Sequence, residues 1–165
     1  MVNSESKELI LEAVKDRYNF ELGRINRLDS KTSSVMSIAG VLVGLVAGFG
    51  SLVITISEIT WLEFGAFLAF SVSLGSLILS FWYSLKTYQL RDYIVVPDAP
   101  TFIVEGEKMK HEKVMETLYV NYALALEENE KTNKKKVQNI GNSINLILFS
   151  IILFALFSVF TALSK

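Results

Sequence analysis

The chain contains no cysteine, one histidine and two prolines among its 165 residues. Without cysteine there is no disulfide framework, no thiolate nucleophile and no sulfur ligand for zinc. His111 is the lone histidine, so no histidine pair can hold a metal, and its neighbours Lys108, Lys110, Glu112 and Lys113 mark it as a solvated residue. The prolines sit close together, at 97 and 100, so little else in the chain interrupts a helix. Charge is scarce as well. Asp, Glu, Lys and Arg make up 20% of the chain and are missing from residues 32–57, 64–85 and 137–164. As helices these stretches reach roughly 39, 33 and 42 Å at about 1.5 Å per residue, against a hydrocarbon core of about 30 Å. The mean hydropathy of +0.39 agrees. This composition excludes a soluble globular enzyme, a disulfide-stapled secreted domain and a disordered chain.

The expected architecture is all-α and integral to a membrane: three transmembrane helices with long cytoplasmic helical extensions. The segments are 1–31, a cytoplasmic amphipathic helix; 32–57, span one; 61–85, span two; 86–136, a cytoplasmic segment; and 137–164, span three. No cleavable signal is expected, because the first apolar run begins near Ser34, after some thirty residues of mixed charge. The first arm carries Lys7, Lys15, Arg17, Arg24, Arg27 and Lys31, and the second carries nine basic residues, whereas the link between spans one and two has only Glu58 and Glu63. Basic loops stay cytoplasmic, which predicts a multi-pass protein of the cell membrane with its N-terminus inside and its C-terminus outside. Trp61 falls at the outer end of span two, and Trp82 with Tyr83 at its inner end, where amphipathic rings favour headgroup depth.

Both arms read as helices. Leu11, Val14, Tyr18, Ile25 and Leu28 follow a 3-4 spacing interrupted at Glu21, and with no proline before span one a single helix over residues 5–56 is allowed. A coiled-coil-like seam fits the evenly mixed polar face better than a helix lying on the membrane surface. Met115, Leu118, Tyr122, Ala125 and Asn129 repeat the spacing in the second arm, leading into span three. Asn129 occupies an apolar seam position, where a buried asparagine fixes register; a solvated asparagine is the plain alternative. Between the arms, Val96-Pro97-Asp98-Ala99-Pro100 is expected to form a rigid corner, with the second long helix starting near Thr101 to Glu107. The two arms are expected to pair as a stalk, within one chain or between chains.

Gly40, Gly44 and Gly48 stand at four-residue intervals in span one and make a nearly side-chain-free stripe for close helix packing. Its partner is left open among span two, span three and another copy. Span two offers Ala69, Ser71, Ser73, Gly75 and Ser76 as small residues.

No G-x-S-x-G, Walker-type loop or H-E-x-x-H occurs, so the chain is expected to have no catalytic, cofactor or metal site. No charged residue sits at membrane depth within a span, which argues against proton relays and ion-coupled transport. Asn142 and Asn145 make the inner end of span three polar, and Asn145, one turn inside the apolar zone, should face protein or water. An interhelical hydrogen bond is the first expectation for it. A polar pore constriction in an oligomer is the alternative, with Glu58 and Glu63 drawing cations to the outer mouth. Lys131, Lys134, Lys135 and Lys136 lie just below span three, where they enforce topology and can hold anionic headgroups. The slightly negative net charge, −1, gives no nucleic-acid footprint.

Arg17-Tyr18-Asn19, followed by Arg27-Leu28-Asp29-Ser30-Lys31 entering a glycine-rich span, resembles the start of small prokaryotic two- or three-span proteins. The SLATT-type and Pycsar-type transmembrane effectors of nucleotide-signalled defence systems are among these. The downstream order of Tyr122, Asn129 and Lys134 to Lys136 before a last span looks like a bacterial and archaeal membrane family. The effector resemblance implies membrane disruption after self-assembly, triggered by a partner or a nucleotide. Taken together, the expectation is a non-enzymatic, self-associating membrane protein that permeabilises or signals in response to a cytoplasmic partner. The alternative is an accessory or scaffold subunit of a larger membrane complex.

Overall fold

A computed structural model of the chain describes residues 4–53, 60–90, 93, 94, 96 and 111–164. These residues are helical apart from short connections: α1 spans Ser4–Val53, α2 spans Trp61–Gln89 and α3 spans His111–Leu163. All three helices are long and apolar enough to cross a membrane. The expected helix start near Thr101 to Glu107, the residues from Pro97 to Pro100, the side chain of His111 and Glu58 lie outside what is described.

α1 and α3 each run without interruption from a charged half into an apolar one. No proline lies within either helix to remove a backbone donor or clash with the preceding turn. α2 begins with a capping box. Thr60 Oγ1 accepts from the Glu63 amide at 3.3 Å, and the Glu63 carboxylate accepts from the Thr60 amide at 2.9 Å. The carboxylate expected to attract cations at an outer mouth is thus engaged in starting a helix.

The chain divides into two units: residues 1–28 with 90–135, and residues 29–89 with 136–165. In the first, Tyr18, Val96 and Ala125 form a small core, with Leu22 and Tyr122 packed on it. The Tyr18 and Tyr122 rings meet edge to face at 5.2 Å between centroids. The buried stripe of α1 does not break at Glu21. That carboxylate is itself buried, so the stripe runs Tyr18, Glu21, Ile25.

The second unit inverts the usual distribution of side chains. Its buried positions are mostly small or hydroxylic: Thr32, Ala39, Ala66, Ala69, Ser73, Ser76, Ser80, Ser84, Thr87, Ser143 and Ser150. Leu77 is the one large apolar side chain there with no exposure among the described residues. Large apolar residues face outward, including Phe64, Phe67, Leu68, Val72, Ile78 and Leu79 on α2 and Leu148, Phe149, Ile151, Ile152, Leu156 and Val159 on α3. Water would drive the opposite arrangement. Lipid tails solvate leucine and phenylalanine as well as a protein core does, which leaves close approach and hydrogen bonding to hold helices together.

Candidate functional site

The densest polar arrangement in the first unit surrounds non-helical main chain at Ile94 and Val96. Asn129 on α3 has no exposure. Its amide oxygen accepts from the Ile94 N–H at 3.1 Å, and its amide nitrogen donates to the Ile94 carbonyl at 3.2 Å. Tyr18 on α1 acts from the other side: its hydroxyl accepts from the Val96 N–H at 3.2 Å and donates to the Ile94 carbonyl at 3.4 Å. A turn further along α3, Asn133 donates to the Glu21 carboxylate at 2.7 Å and to the Glu21 carbonyl at 3.3 Å. Arg24 adds a contact to the same carboxylate at 3.4 Å. The Asn133 carbonyl oxygen is buried and accepts no hydrogen bond.

Asn129 is therefore a buried seam residue, not a solvated one. Its amide is spent on a non-helical main chain and not on another side chain. Sequence periodicity located the residue, but its partner is 35 positions away and has no periodic signature.

In the second unit, α2 and α3 are joined by hydroxyls. Ser73 and Ser150 bond at 2.8 Å, Ser80 and Ser143 at 2.7 Å, and Ser84 and Ser143 at 2.9 Å. Ser80 and Ser73 also donate to the carbonyls of Ser143 and Ser150. A hydroxyl that bonds across the interface replaces what lipid cannot supply. Above this ladder lies an aromatic group. Phe70 meets Phe157 at 5.4 Å, Phe157 stacks on Phe154 at 5.6 Å, and Phe154 meets Phe49 of α1 at 6.2 Å.

Several sequence expectations need correction. Asn145 is exposed and Asn142 is half-buried. Among the described residues, neither bonds across helices; the interhelical bonds belong to Ser143, which lies between them on the inward face. The glycine expectation is not among them: Gly40, Gly44, Gly48 and Gly75 are exposed, which is compatible with another copy, one of the partners left open for the stripe of span one. A Cβ placed on Gly40, Gly44 or Gly75 meets nothing within 4 Å. The glycine that permits close approach is Gly50, where a Cβ would lie 2.2 Å from the Phe70 ring. A Gly50 side chain and this ring position are therefore incompatible.

The four lysines below span three behave differently from one another. Lys136 cannot reach a headgroup, because it has no exposure and donates to the Asp29 carboxylate on α1. Lys131 lies 3.0 Å from Glu127 and 2.9 Å from Glu128, and Lys134 lies 3.1 Å from Glu130. Lys135 is exposed. The hydrogen bond and charge of Lys134, with Arg17 and Arg24 more distant, hold the Glu130 carboxyl below its ordinary range. Hydrogen bonds that Lys131 donates to the Glu128 and Glu127 carboxylates hold its ammonium pKa above the ordinary value.

No group of three or more metal-ligating side chains occurs among the described residues. The arrangement can lock helices together and hold non-helical main chain. Family models, curated proteins and solved structures give no match to the chain.

Proposed function

We propose that the chain is a non-enzymatic, self-associating membrane protein that permeabilises or signals at the cell membrane when a cytoplasmic partner engages its charged arms. The reading puts the N-terminus and both arms in the cytoplasm, following the basic residues, and the C-terminus outside. One observation carries self-association: the outward face of α1 in its apolar half. Ser33, Ser34, Ser37, Gly40 and Gly44 are all exposed there, beside a ridge of Ile38, Val41 and Leu45. The outward faces of α2 and α3 carry large apolar side chains. Lipid gains nothing from glycine, and each helix-interior glycine costs about 1 kcal/mol relative to alanine. A helix of another copy gains close contact along that face.

The test uses the space around Gly40 and Gly44. Among the described residues, a Cβ at Gly40 or Gly44 meets nothing within 4 Å beyond the helix's own backbone, so Gly40→Leu and Gly44→Leu are expected to leave the fold of one copy intact and obstruct only an external helix. Native mass spectrometry from mild detergent should show oligomers for the wild type and fewer for the variants. Reconstituted liposomes should leak with the wild type and less with the variants. Monomers only, together with tight vesicles at every protein density, would refute the reading. Recovery with other membrane proteins in fixed ratio would favour the accessory-subunit alternative, with the same α1 face as its docking surface.

A further inference from the structure

Asn145 stands where an asparagine is unfavourable. It is exposed, and among the described residues its amide makes no hydrogen bond. Nine residues beyond Lys136, it lies about 13–14 Å into the uncharged half of α3, at about 1.5 Å per residue. Leu148, Phe149 and Ile152 beside it are apolar and exposed, so in a spanning helix this face meets lipid. Lipid offers an amide no partner, whereas another helix can supply a hydrogen bond.

A surface of matching chemistry lies at the same depth on α1. Two contacts in the second unit set the levels of the helices. The Asp29–Lys136 ion pair joins α1 to α3 at one end, and the Phe49 and Phe154 rings meet at 6.2 Å toward the other. Both helices therefore run in the same direction. Counted from the ion pair, Asn145 is level with Ser37, nine residues along α3 against eight along α1. Leu148 is level with Gly40 in the same way, and Ile152 with Gly44. All six are exposed in the single copy. Each large side chain on α3 thus has a glycine at its depth on α1, and the amide has a hydroxyl. Ser37 donates that hydroxyl's proton to the Ser33 carbonyl at 3.0 Å and keeps lone pairs for an amide donor.

We propose that Asn145 marks an interface between copies, in which the outward face of α3 packs on the exposed α1 face of a second copy. Asn145 Nδ2 donates to the second copy's Ser37 hydroxyl, while Leu148 and Ile152 seat over its Gly40 and Gly44. Copies inserted in the same orientation are related by an axis along the membrane normal. Such an axis keeps α3 of one copy parallel to α1 of the next and preserves the match in depth. Two different faces meet, so the contact is heterologous and repeats from copy to copy, closing as a ring where the rotation allows. The inference rests on the self-associating reading and deepens it by naming the surface that covers α1.

The chain has no cysteine, so single-cysteine copies report contacts directly. Ser37→Cys copies are co-expressed with differently tagged Asn145→Cys copies, and the membranes are oxidised. Disulfides should join one tag to the other, and Ser37→Cys expressed alone should give none. Ser37→Cys joined only to itself would mean that α1 pairs with α1, and would overturn the proposal. So would an adduct of Asn145→Cys with a different protein in place of the mixed disulfide. Native mass spectrometry of cysteine-free copies reads the hydrogen bond itself. Asn145→Leu should weaken association about threefold to thirtyfold, the range for one interhelical bond in lipid. Adding Ser37→Ala should weaken it little further, because both substitutions remove the same bond. Unchanged association or additive losses would overturn the proposal. Wild-type oligomers without the mixed disulfide would refute this interface and leave self-association standing, whereas wild-type monomers at every protein density would refute self-association itself.

Discussion

Lys136 and Asp29 form an ion pair whose two ends differ in exposure: the lysine side chain is 0% exposed and the aspartate 37%. The pair joins α3 to α1 close to where each helix passes from its charged half into its uncharged one.

That asymmetry predicts unequal costs for removing either partner. Asp29→Leu takes this carboxylate away from a fully buried ammonium and should cost more, up to about 3–5 kcal/mol. Lys136→Met leaves a carboxylate that water partly reaches, so its cost should be smaller, about 1–2 kcal/mol. Equilibrium unfolding in mixed detergent micelles measures both. The double variant should recover much of the loss.

Gly50 and Gly44 should respond in opposite directions to one added methyl group. Gly50→Ala forces the Phe70 ring from its contact with Phe157 and should cost about 1–3 kcal/mol. Gly44→Ala meets nothing within 4 Å among the described residues beyond its own helix backbone and should stabilise a single copy by up to about 1 kcal/mol through helix propensity. Phe70→Leu in the Gly50→Ala background should restore part of the loss. Thermal unfolding of detergent-solubilised monomer is the measurement.

The serine ladder should be unequal along its length. Ser143 serves two α2 hydroxyls, Ser80 and Ser84. In Ser143→Ala, Ser80 keeps the Ser143 carbonyl as acceptor, while Ser84 loses its cross-helix partner. The expected cost is about 1 kcal/mol, in keeping with interhelical bonds of about 0.6–2 kcal/mol in lipid. Ser84→Ala added to Ser143→Ala should cost almost nothing more, a coupling that a double-mutant cycle detects.

The pairs on α3 set a direction of pH dependence. Glu130 has a lowered pKa in the folded chain, so its contribution is fully present above the ordinary carboxyl value and is lost as pH falls through the folded one. Lys131 has a raised pKa, so its contribution is fully present below the ordinary ammonium value and is lost as pH rises through the folded one. Glu130→Gln should flatten the acid limb of a stability–pH profile and leave the alkaline limb unchanged. Helicity of the solubilised chain followed against pH, with and without the substitution, provides the check.

The helices and their polarity were legible in the sequence because long uncharged runs and recurrent 3-4 spacing report on environment, which each residue carries locally. Which side of a helix faces which neighbour was less legible. Gly40, Gly44 and Gly48 have the spacing of a packing face, but the tightest contact at a described glycine is at Gly50, whose importance comes from a phenylalanine twenty residues away. Asn145 drew attention as the more polar residue, but a compact hydroxyl suits a tight helix contact and the bonds fall to Ser143. Glu21 looked like a break in the α1 stripe because its partner, Asn133, lies 112 positions away. Lys136 was grouped with its neighbours in the lysine run, although one residue of helix turns it from the exposed face of Lys135 to the interior.

The outward display of large side chains in the second unit has a thermodynamic consequence. When its helices separate within a bilayer, leucine and phenylalanine exchange one apolar surrounding for another, and little apolar surface meets water. The heat-capacity change of such a separation is then small, because that quantity tracks apolar hydration. Stability should fall almost linearly with temperature and show no tendency to weaken on cooling.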